Sequence, residues 1–352
     1  LVTEYFQYGS VVRRTYHNQD GRVAFEEWRL GGSWVYKLGP EILTSHTEVI
    51  RRFLSKLSLN EEDLILLDRA SRMDFARPLL EKDDPAKLAM VFHSEHEFEN
   101  GQLNYEYYYV FKYAKRFDYF ITATEAQKEV LEQTLAKQEY HDIPIFSIPV
   151  GHLEGLTESQ GDRIPYSVIT ASRLDPRKRI DLAIRVVAQA HKHLPALQFD
   201  IYGKGGEEDN LRHLIQELEA QDYIHLRGHA DLKRIYPHYQ AYLTASQWET
   251  FGLTLMEAAG AGLALLGFDA RYGNPTFIKE GENGYLVPYS GKIPEEELVK
   301  ELADKLVQLF NRNLEPFHQA SYDLASCYLK TKVQEVWKQM LKEMGQLDRK
   351  EM

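Results

Sequence analysis

Two glutamates, Glu249 and Glu257, stand eight positions apart in Ser246-Gln247-Trp248-Glu249-Thr250-Phe251-Gly252-Leu253-Thr254-Leu255-Met256-Glu257-Ala258-Ala259-Gly260. They straddle a glycine where a strand-end loop becomes a helix. Gly252 lets the backbone approach a ligand closely, and the first helical amides point to where a phosphate would accept their bonds. A loop carboxylate at Glu249 can accept sugar hydroxyls, and Glu257 in the helix can accept both hydroxyls of a ribose. A helix with a solvated glutamate at each end would show the same spacing, so the reading depends on the neighbouring motifs.

Ala171-Ser172-Arg173-Leu174-Asp175-Pro176-Arg177-Lys178 begins directly after the first strand of the same domain. Arg173 and Lys178 lie five apart across a proline-containing turn, so both cations reach one diphosphate. Charge-assisted bonds contribute roughly 1.5–3 kcal/mol each and a helix terminus roughly 0.3–2 kcal/mol, so the cations dominate phosphate stabilisation. Arg177 and Arg179 read as a solvated basic face. Gly203, Gly205 and Gly206 follow the second strand and Gly228-His229 the third. Each of these is weak alone, but all four strand ends carry residues that suit a ligand. His93 follows the strand Lys87–Phe92, a place where histidines are most often packed or solvent-facing. Its His-x-x-His spacing to His96 lacks a third ligand and predicts no metal site. Neither an Asp-x-Asp motif nor a Gly-x-Ser-x-Gly elbow occurs, and Cys327 reads as a buried thiol poorly suited to nucleophilic work.

These residues need a scaffold that gathers strand ends at one edge. Residues 1–38 alternate like an antiparallel meander: Val11–Tyr16 and Val23–Leu30 flank the hairpin signal Asn18-Gln19-Asp20-Gly21, and Ser33–Tyr36 follows as a third strand. From about residue 45 strands and helices alternate. Ser45 and Glu48 have capping-box spacing ahead of a helix, and Asp63–Asp68, Lys87–Phe92, Tyr119–Thr122 and Ile145–Ile148 read as buried strands. The polar stretch 152–165 reads as a hinge. A second series then runs through the strands Tyr166–Thr170, Leu197–Tyr202, Tyr223–Arg227, Ala241–Thr244 and Leu263–Gly267. Ile180, Ile184, Val187 and His191 form one helical stripe between the first two. Such alternation predicts a parallel doubly wound sheet that binds ligands at the carboxyl ends of its strands. From Pro294 onward the chain reads as helical.

Bulk properties narrow the classes. The 352 residues carry a formal net charge of −11, with 43% hydrophobic and 12% aromatic residues. That predicts two or three domains and a surface that repels nucleic acid and anionic lipid, so an anionic substrate needs a local basic pocket. A single cysteine, Cys327, makes no internal disulfide and suits a reducing compartment. No apolar run approaches the roughly 20 residues of a membrane span. The chain opens with Leu1 inside a strand pattern, which suggests an absent upstream segment.

Residues 166–290 resemble the donor domain of GT-B, GT4-type retaining glycosyltransferases, on the strength of Arg173 with Lys178 and Glu249 with Glu257. Phe199–Glu208, Phe251–Ala258 and Arg271-Tyr272-Gly273-Asn274 resemble one subgroup, the catalytic subunits that place N-acetylglucosamine on Ser/Thr of serine-rich-repeat adhesins. The resemblance implies an α/β GT-B fold of two Rossmann-like domains facing a cleft. It implies residues 1–40 as part of an inserted β-meander domain and 41–155 as a partial first, acceptor domain. Residues 156–312 would be the nucleotide-sugar donor domain, and 313–352 C-terminal helices that pack back on the first domain. It also implies UDP-N-acetylglucosamine as donor, with no metal or other cofactor. His93, Arg173, Lys178 and Glu249 would be catalytic; Gly203, Lys204, His229 and Ala230, with Thr250, Phe251, Gly252, Leu253, Thr254, Leu255 and Glu257, would bind donor. A homologous non-catalytic subunit and a Ser/Thr-rich acceptor would be its partners, on the cytoplasmic side with peripheral contact at the inner membrane face. The family's glycine-rich loop near the start of the first domain has no counterpart here. Wall-teichoic-acid N-acetylglucosamine transferases and a non-catalytic adhesin-binding subunit are the alternative readings.

Overall fold

The computed structural model describes residues 1–69, 73–81, 86–98, 100–138, 142–159 and 161–345. An antiparallel sheet opens the chain in sequential order: β1 (Val2–Gln7), β2 (Ser10–His17), β3 (Val23–Leu30), β4 (Ser33–Leu38) and β5 (Glu41–Leu43). The predicted three strands are thus five. The hairpin falls where Asn18 to Gly21 placed it, with the Asn18 side chain accepting the Arg22 N–H at 2.9 Å. Arg13 lies between the rings of Tyr5 and Trp28, 4.7 and 4.4 Å from their centroids, and is ion-paired with buried Glu26.

Helix α1 (His46–Leu54) starts at the predicted cap, Ser45 Oγ accepting the Glu48 N–H at 3.2 Å. Arg52 fastens it to β5 through two bonds to Glu41, at 2.7 and 2.8 Å. There follow β6 (Leu64–Leu67), α2 (Met73–Glu81), β7 (Lys87–Phe92), α3 (Tyr108–Lys112), β8 (Tyr119–Thr122), α4 (Glu125–Lys137) and β9 (Ile145–Ser147). Their sheet has the order β6-β7-β8-β9, with β6 and β7 parallel.

The third sheet carries the doubly wound series. Its elements are β10 (Ser167–Ala171), α5 (Ile180–His191), β11 (Gln198–Tyr202), α6 (Glu208–Glu217), β12 (Ile224–Gly228), β13 (Ala241–Thr244), α7 (Leu253–Gly260), β14 (Ala264–Phe268), α8 (Gly273–Phe277) and β15 (Gly284–Val287). Strand order is β12-β11-β10-β13-β14-β15, every pair parallel. The winding reverses between β10 and β13, the position at which open α/β sheets bind ligands. Buried on both faces, β10, β13 and β14 are predominantly apolar, and this is why their positions were legible. Ile180, Ile184 and Val187 are buried as their spacing predicts, while His191 stacks on Tyr223 with centroids 3.6 Å apart.

The chain forms two compact units: residues 1–92, 96–120 and 138–144, and residues 93–95, 121–137 and 145–352. Within the second, α9 (Glu295–Phe310) packs on α5, and α10 (Glu315–Ser326) packs on α7 and β14 before α11 (Lys330–Glu343). The Arg163 guanidinium donates to the carbonyls of Pro237, Tyr239 and Ala261 at 3.2, 2.7 and 2.7 Å, tying three turns together. Cys327 is exposed, contrary to expectation. The buried stripe of α10 runs through Phe317, Ser321 and Ala325, and Cys327 lies off it. Among the described residues no helix is long and apolar enough to cross a membrane.

His318, also on α10, has its Nε2 3.0 Å from the Gln240 carbonyl. Burial, reinforced by the charge of Arg163, pushes its imidazole down to about 4. The folded-state value lies below the unfolded one near 6.5, so this histidine's contribution is present above pH 6.5 and is lost as pH falls towards 4. Urea unfolding at a series of pH values should show the wild type losing about 2–3 kcal/mol between pH 7 and 4 that His318→Gln retains. Parallel curves would refute the assignment.

Candidate active site

At the end of β10 the chain turns through Ser172 into a short 3₁₀ turn, Pro176–Lys178. Asp175 shapes that turn: its carboxylate accepts the Arg177 N–H at 3.0 Å and two guanidinium bonds at 2.9 Å. The same guanidinium holds Asp175 well below the usual carboxylate range. Arg179 is likewise taken, by Asp181 at 2.9 Å and Glu295 at 2.7 Å. Two of the loop's four cations are therefore spent on neighbours. Of the others, Arg173 is exposed and makes no ion pair among the described residues. Lys178 Nζ lies 2.5 Å from Glu249 Oε2, with the two side chains 22% and 20% exposed.

Glu249 is held through its backbone. Its N–H donates to the Arg271 carbonyl at 3.0 Å, and its own carbonyl accepts the N–H groups of Tyr272 and Gly273 at 2.6 and 2.5 Å. A Cβ on Gly273 would meet the Phe251 carbonyl oxygen at 2.1 Å, so only glycine lets the two segments lie together. Gly252, at φ +94°, turns the chain into α7. The amides of Leu253, Thr254 and Leu255 lie in its first turn, where no helical carbonyl can receive them. Phe251 and Leu255 bury their side chains, at 4% and 2% exposure, so both can offer a ligand only backbone. The hydroxyl of buried Tyr242 donates to the Ala171 carbonyl at 3.0 Å and lies 2.9 Å from Thr254 Oγ1, joining the end of β10 to the start of α7.

These elements surround a cavity of ≈ 330 Å³, whose walls include His93, Ala123, Arg173, Lys178, Glu249 and Gly252. A second cavity of ≈ 350 Å³ has Glu257, Ala230, Tyr236 and Leu153 in its walls. The Glu257 carboxylate makes no hydrogen bond or ion pair among the described residues. Partial desolvation raises its pKa. Part of this wall is residues 152–157, the polar stretch beyond β9. It is pinned by Leu153 N–H to the Tyr328 carbonyl at 2.8 Å and Thr157 N–H to the Gly260 carbonyl at 2.8 Å.

Other sequence-selected residues lie elsewhere. Gly203, at φ +141°, faces the backbone of Ser172: a Cβ would meet the Ser172 carbonyl oxygen at 1.8 Å. Gly203 thus buttresses the basic loop, and it lines neither cavity, nor do exposed Lys204 and His229. His96 is fully buried against Phe92 and Phe111, with ring centroids 5.7 and 6.3 Å away. Ala123, Val150 and Ser172 join the first cavity although sequence reasoning passed over them. Ala123 and Ser172 each follow a predicted strand, and that position is the signal that could have found them.

The sequence profile of glycosyl transferases group 1 matches residues 160–316. The GtfA subunit of UDP-N-acetylglucosamine–peptide N-acetylglucosaminyltransferase from Streptococcus gordonii is 44% identical over 97% of this chain and 70% of its own length. The pneumococcal O-GlcNAc transferase GtfA, solved in complex with UDP and GlcNAc, superposes with TM-score 0.89 and 41% identity over 97% of this chain and 70% of that one. A GtfA/B complex structure matches with TM-score 0.89 and 43% identity over the same shares. Fold and site together define a GT-B glycosyltransferase. The chain belongs to the family of GtfA subunits of UDP-N-acetylglucosamine–peptide N-acetylglucosaminyltransferases.

An anion entering beside Lys178 must compete with Glu249 for it. Glu249→Gln should therefore tighten UDP binding by about fivefold, the equivalent of a pair worth about 1 kcal/mol. Calorimetric titration of both proteins reads this directly, and equal affinities would show that the pair does not compete.

Proposed function

We propose that this chain transfers N-acetylglucosamine from UDP-N-acetylglucosamine to Ser/Thr hydroxyls of a serine-rich acceptor, with retention of anomeric configuration. The carrying observation is the convergence of Arg173, Lys178 and Glu249 on one cavity while Glu257 waits unpaired in another. In this reading the first cavity takes the sugar and diphosphate and the second the nucleoside, whose ribose hydroxyls bond Glu257. Arg173, Lys178 and the first amides of α7 meet the charge that develops on departing UDP, which is preorganised electrostatic stabilisation. Glu249 exchanges Lys178 for the sugar hydroxyls. His93 orients the sugar and supports the positive charge at the anomeric carbon. These groups supply the counter-charge themselves, so transfer should persist in EDTA.

The neighbour solved as a GtfA/B complex supports a homologous partner subunit. The opening meander suits that contact: it exposes Phe6 at 63%, Tyr8 at 97% and Leu30 at 58%. A cytoplasmic site at the inner membrane face, with an adhesin bound for accessory secretion as acceptor, belongs to the same reading.

Transfer to a Ser/Thr-rich peptide, assayed with the partner subunit present, tests the proposal. Lys178→Ala and Glu249→Ala should each lower kcat/KM by roughly 10²–10³ with unchanged circular dichroism. Near-normal turnover in either would remove that residue from the mechanism, and transfer to polyribitol phosphate instead of peptide would replace the acceptor. Phe6→Asp with Leu30→Asp should abolish co-purification of the partner, and undiminished co-purification would move that contact off the meander.

A further inference from the structure

Behind the wall that carries His93 lies a glutamine with no accessible surface. Gln127 is 0% exposed, in the first turn of α4. Its side-chain oxygen accepts the N–H of Ala123 at 3.2 Å, and its side-chain nitrogen donates to the carbonyl of Ser94 at 3.0 Å. Each partner fixes one end of the amide, because a backbone N–H can only donate and a carbonyl can only accept. Gln127 therefore grips two segments of the same cavity wall: Ala123 itself, and the peptide immediately after His93.

The local sequence Thr124-Glu125-Ala126-Gln127 has capping-box spacing, and Thr124 Oγ1 accepts the Gln127 N–H at 3.1 Å. The reciprocal bond of a capping box needs only an acceptor at the third helical position, where glutamate serves as well as glutamine. Here the oxygen reaches Ala123 and the amide nitrogen is left for Ser94. A carboxylate could keep the first bond, but it has no proton for the second and would set oxygen against oxygen. The chemistry at this position requires an amide for a reason outside the helix.

We propose that Gln127 is a positioning residue for sugar transfer, holding the His93–Ser94 segment and Ala123 in the register that places His93 on the sugar. The inference rests on the role given to His93 above. It adds that this role depends on a buried amide which never touches substrate.

Four proteins test it, assayed with the partner subunit where transfer needs it: wild type, Gln127→Glu, His93→Ala and the double variant. Gln127→Glu should lower kcat roughly 10- to 100-fold, the scale on which small misplacements act. Its UDP affinity should stay within about twofold; the buried, uncompensated carboxylate should lower the melting temperature, so turnover is compared at a temperature where circular dichroism shows every variant folded. Gln127→Asn, which restores an amide on a shorter stem, should recover part of the loss in kcat. In the double variant, the loss should be little more than that of His93→Ala alone, since the amide acts through His93. Wild-type turnover in Gln127→Glu, or a double variant whose losses multiply, would overturn the inference while leaving His93 in place. Undiminished turnover in His93→Ala would instead overturn the role of His93 and this inference with it. Failure of the wild type to bind UDP would signal that the donor reading itself is wrong.

Discussion

At the carboxyl edge of the third sheet, pairs of backbone segments lie in contact with no side chain between them. Gly203 rests on Ser172, Gly205 on Leu174 and Gly273 on Phe251; a Cβ at these positions would come within 1.8, 2.1 and 2.1 Å of a carbonyl oxygen. The first two contacts lock the loop after β11 to the loop after β10. The third locks the segment after β14 to the loop after β13. Tyr242 then joins the two halves, its hydroxyl reaching both Ala171 and Thr254. Lys178 and Glu249 consequently meet although 71 residues separate them. Their attraction is not what gathers the loops. A partly exposed ion pair contributes about 1 kcal/mol or less, far below the conformational entropy of ordering four loops. The charges are placed by contacts that involve no charge.

That placement gives three ionised groups different states before any ligand arrives. Arg173 is exposed and has no ion pair among the described residues, Lys178 is neutralised by Glu249, and Glu257 is unpaired in surroundings that raise its pKa. A net charge of −11 repels a nucleotide at long range, but salt screens that field beyond about 8–10 Å. Inside that distance Arg173 is the group positioned to attract an incoming diphosphate. Lys178 becomes fully available only when Glu249 turns to another partner, and the hydroxyls of a sugar can be that partner. The pair therefore favours a ligand that brings an anion and a polyol together over one that brings either alone.

What the sequence disclosed followed from periodicity and from spacing along the chain. β10, β13 and β14 were legible because strands buried on both faces are largely apolar, and α1 because Ser45 and Glu48 carry a cap. Arg173, Lys178 and Glu249 were legible because each follows a strand end in a domain whose sheet collects strand ends at one edge. Residues whose meaning lies in a distant contact were not legible. Gly203 looked like a phosphate-cradling glycine, and nothing nearby in the sequence says that its free face is filled by Ser172. Phe251 and Leu255 sit inside the ligand-facing motif, yet their side chains point to the core. Residues 152–157 are polar and glycine-containing, like a linker, and their place in a cavity wall depends on Tyr328 and Gly260. Cys327 read as a buried thiol, whereas it caps the end of α10 off the stripe that runs through Phe317, Ser321 and Ala325.

Helix α7 connects the two cavities. Gly252 turns it so that its first amides face the cavity of Lys178 and Glu249, while Glu257 stands four residues beyond Leu253 in the wall of the other. Four residues advance about 6 Å and complete slightly more than one turn, so Leu253 and Glu257 share a face. One short helix thus presents a partial positive charge at its end and an acceptor carboxylate one turn later, in fixed relation to each other. In the proposed reading a ligand with an anionic centre beside a diol would meet both groups on a single element, at a spacing set by helix geometry. Loop motions can change how Lys178 or His93 meets the ligand, but they cannot change that spacing. The spacing of the two glutamates thus has a structural content: Gly252 sets the direction of α7, and the four residues from Leu253 to Glu257 set the distance along it.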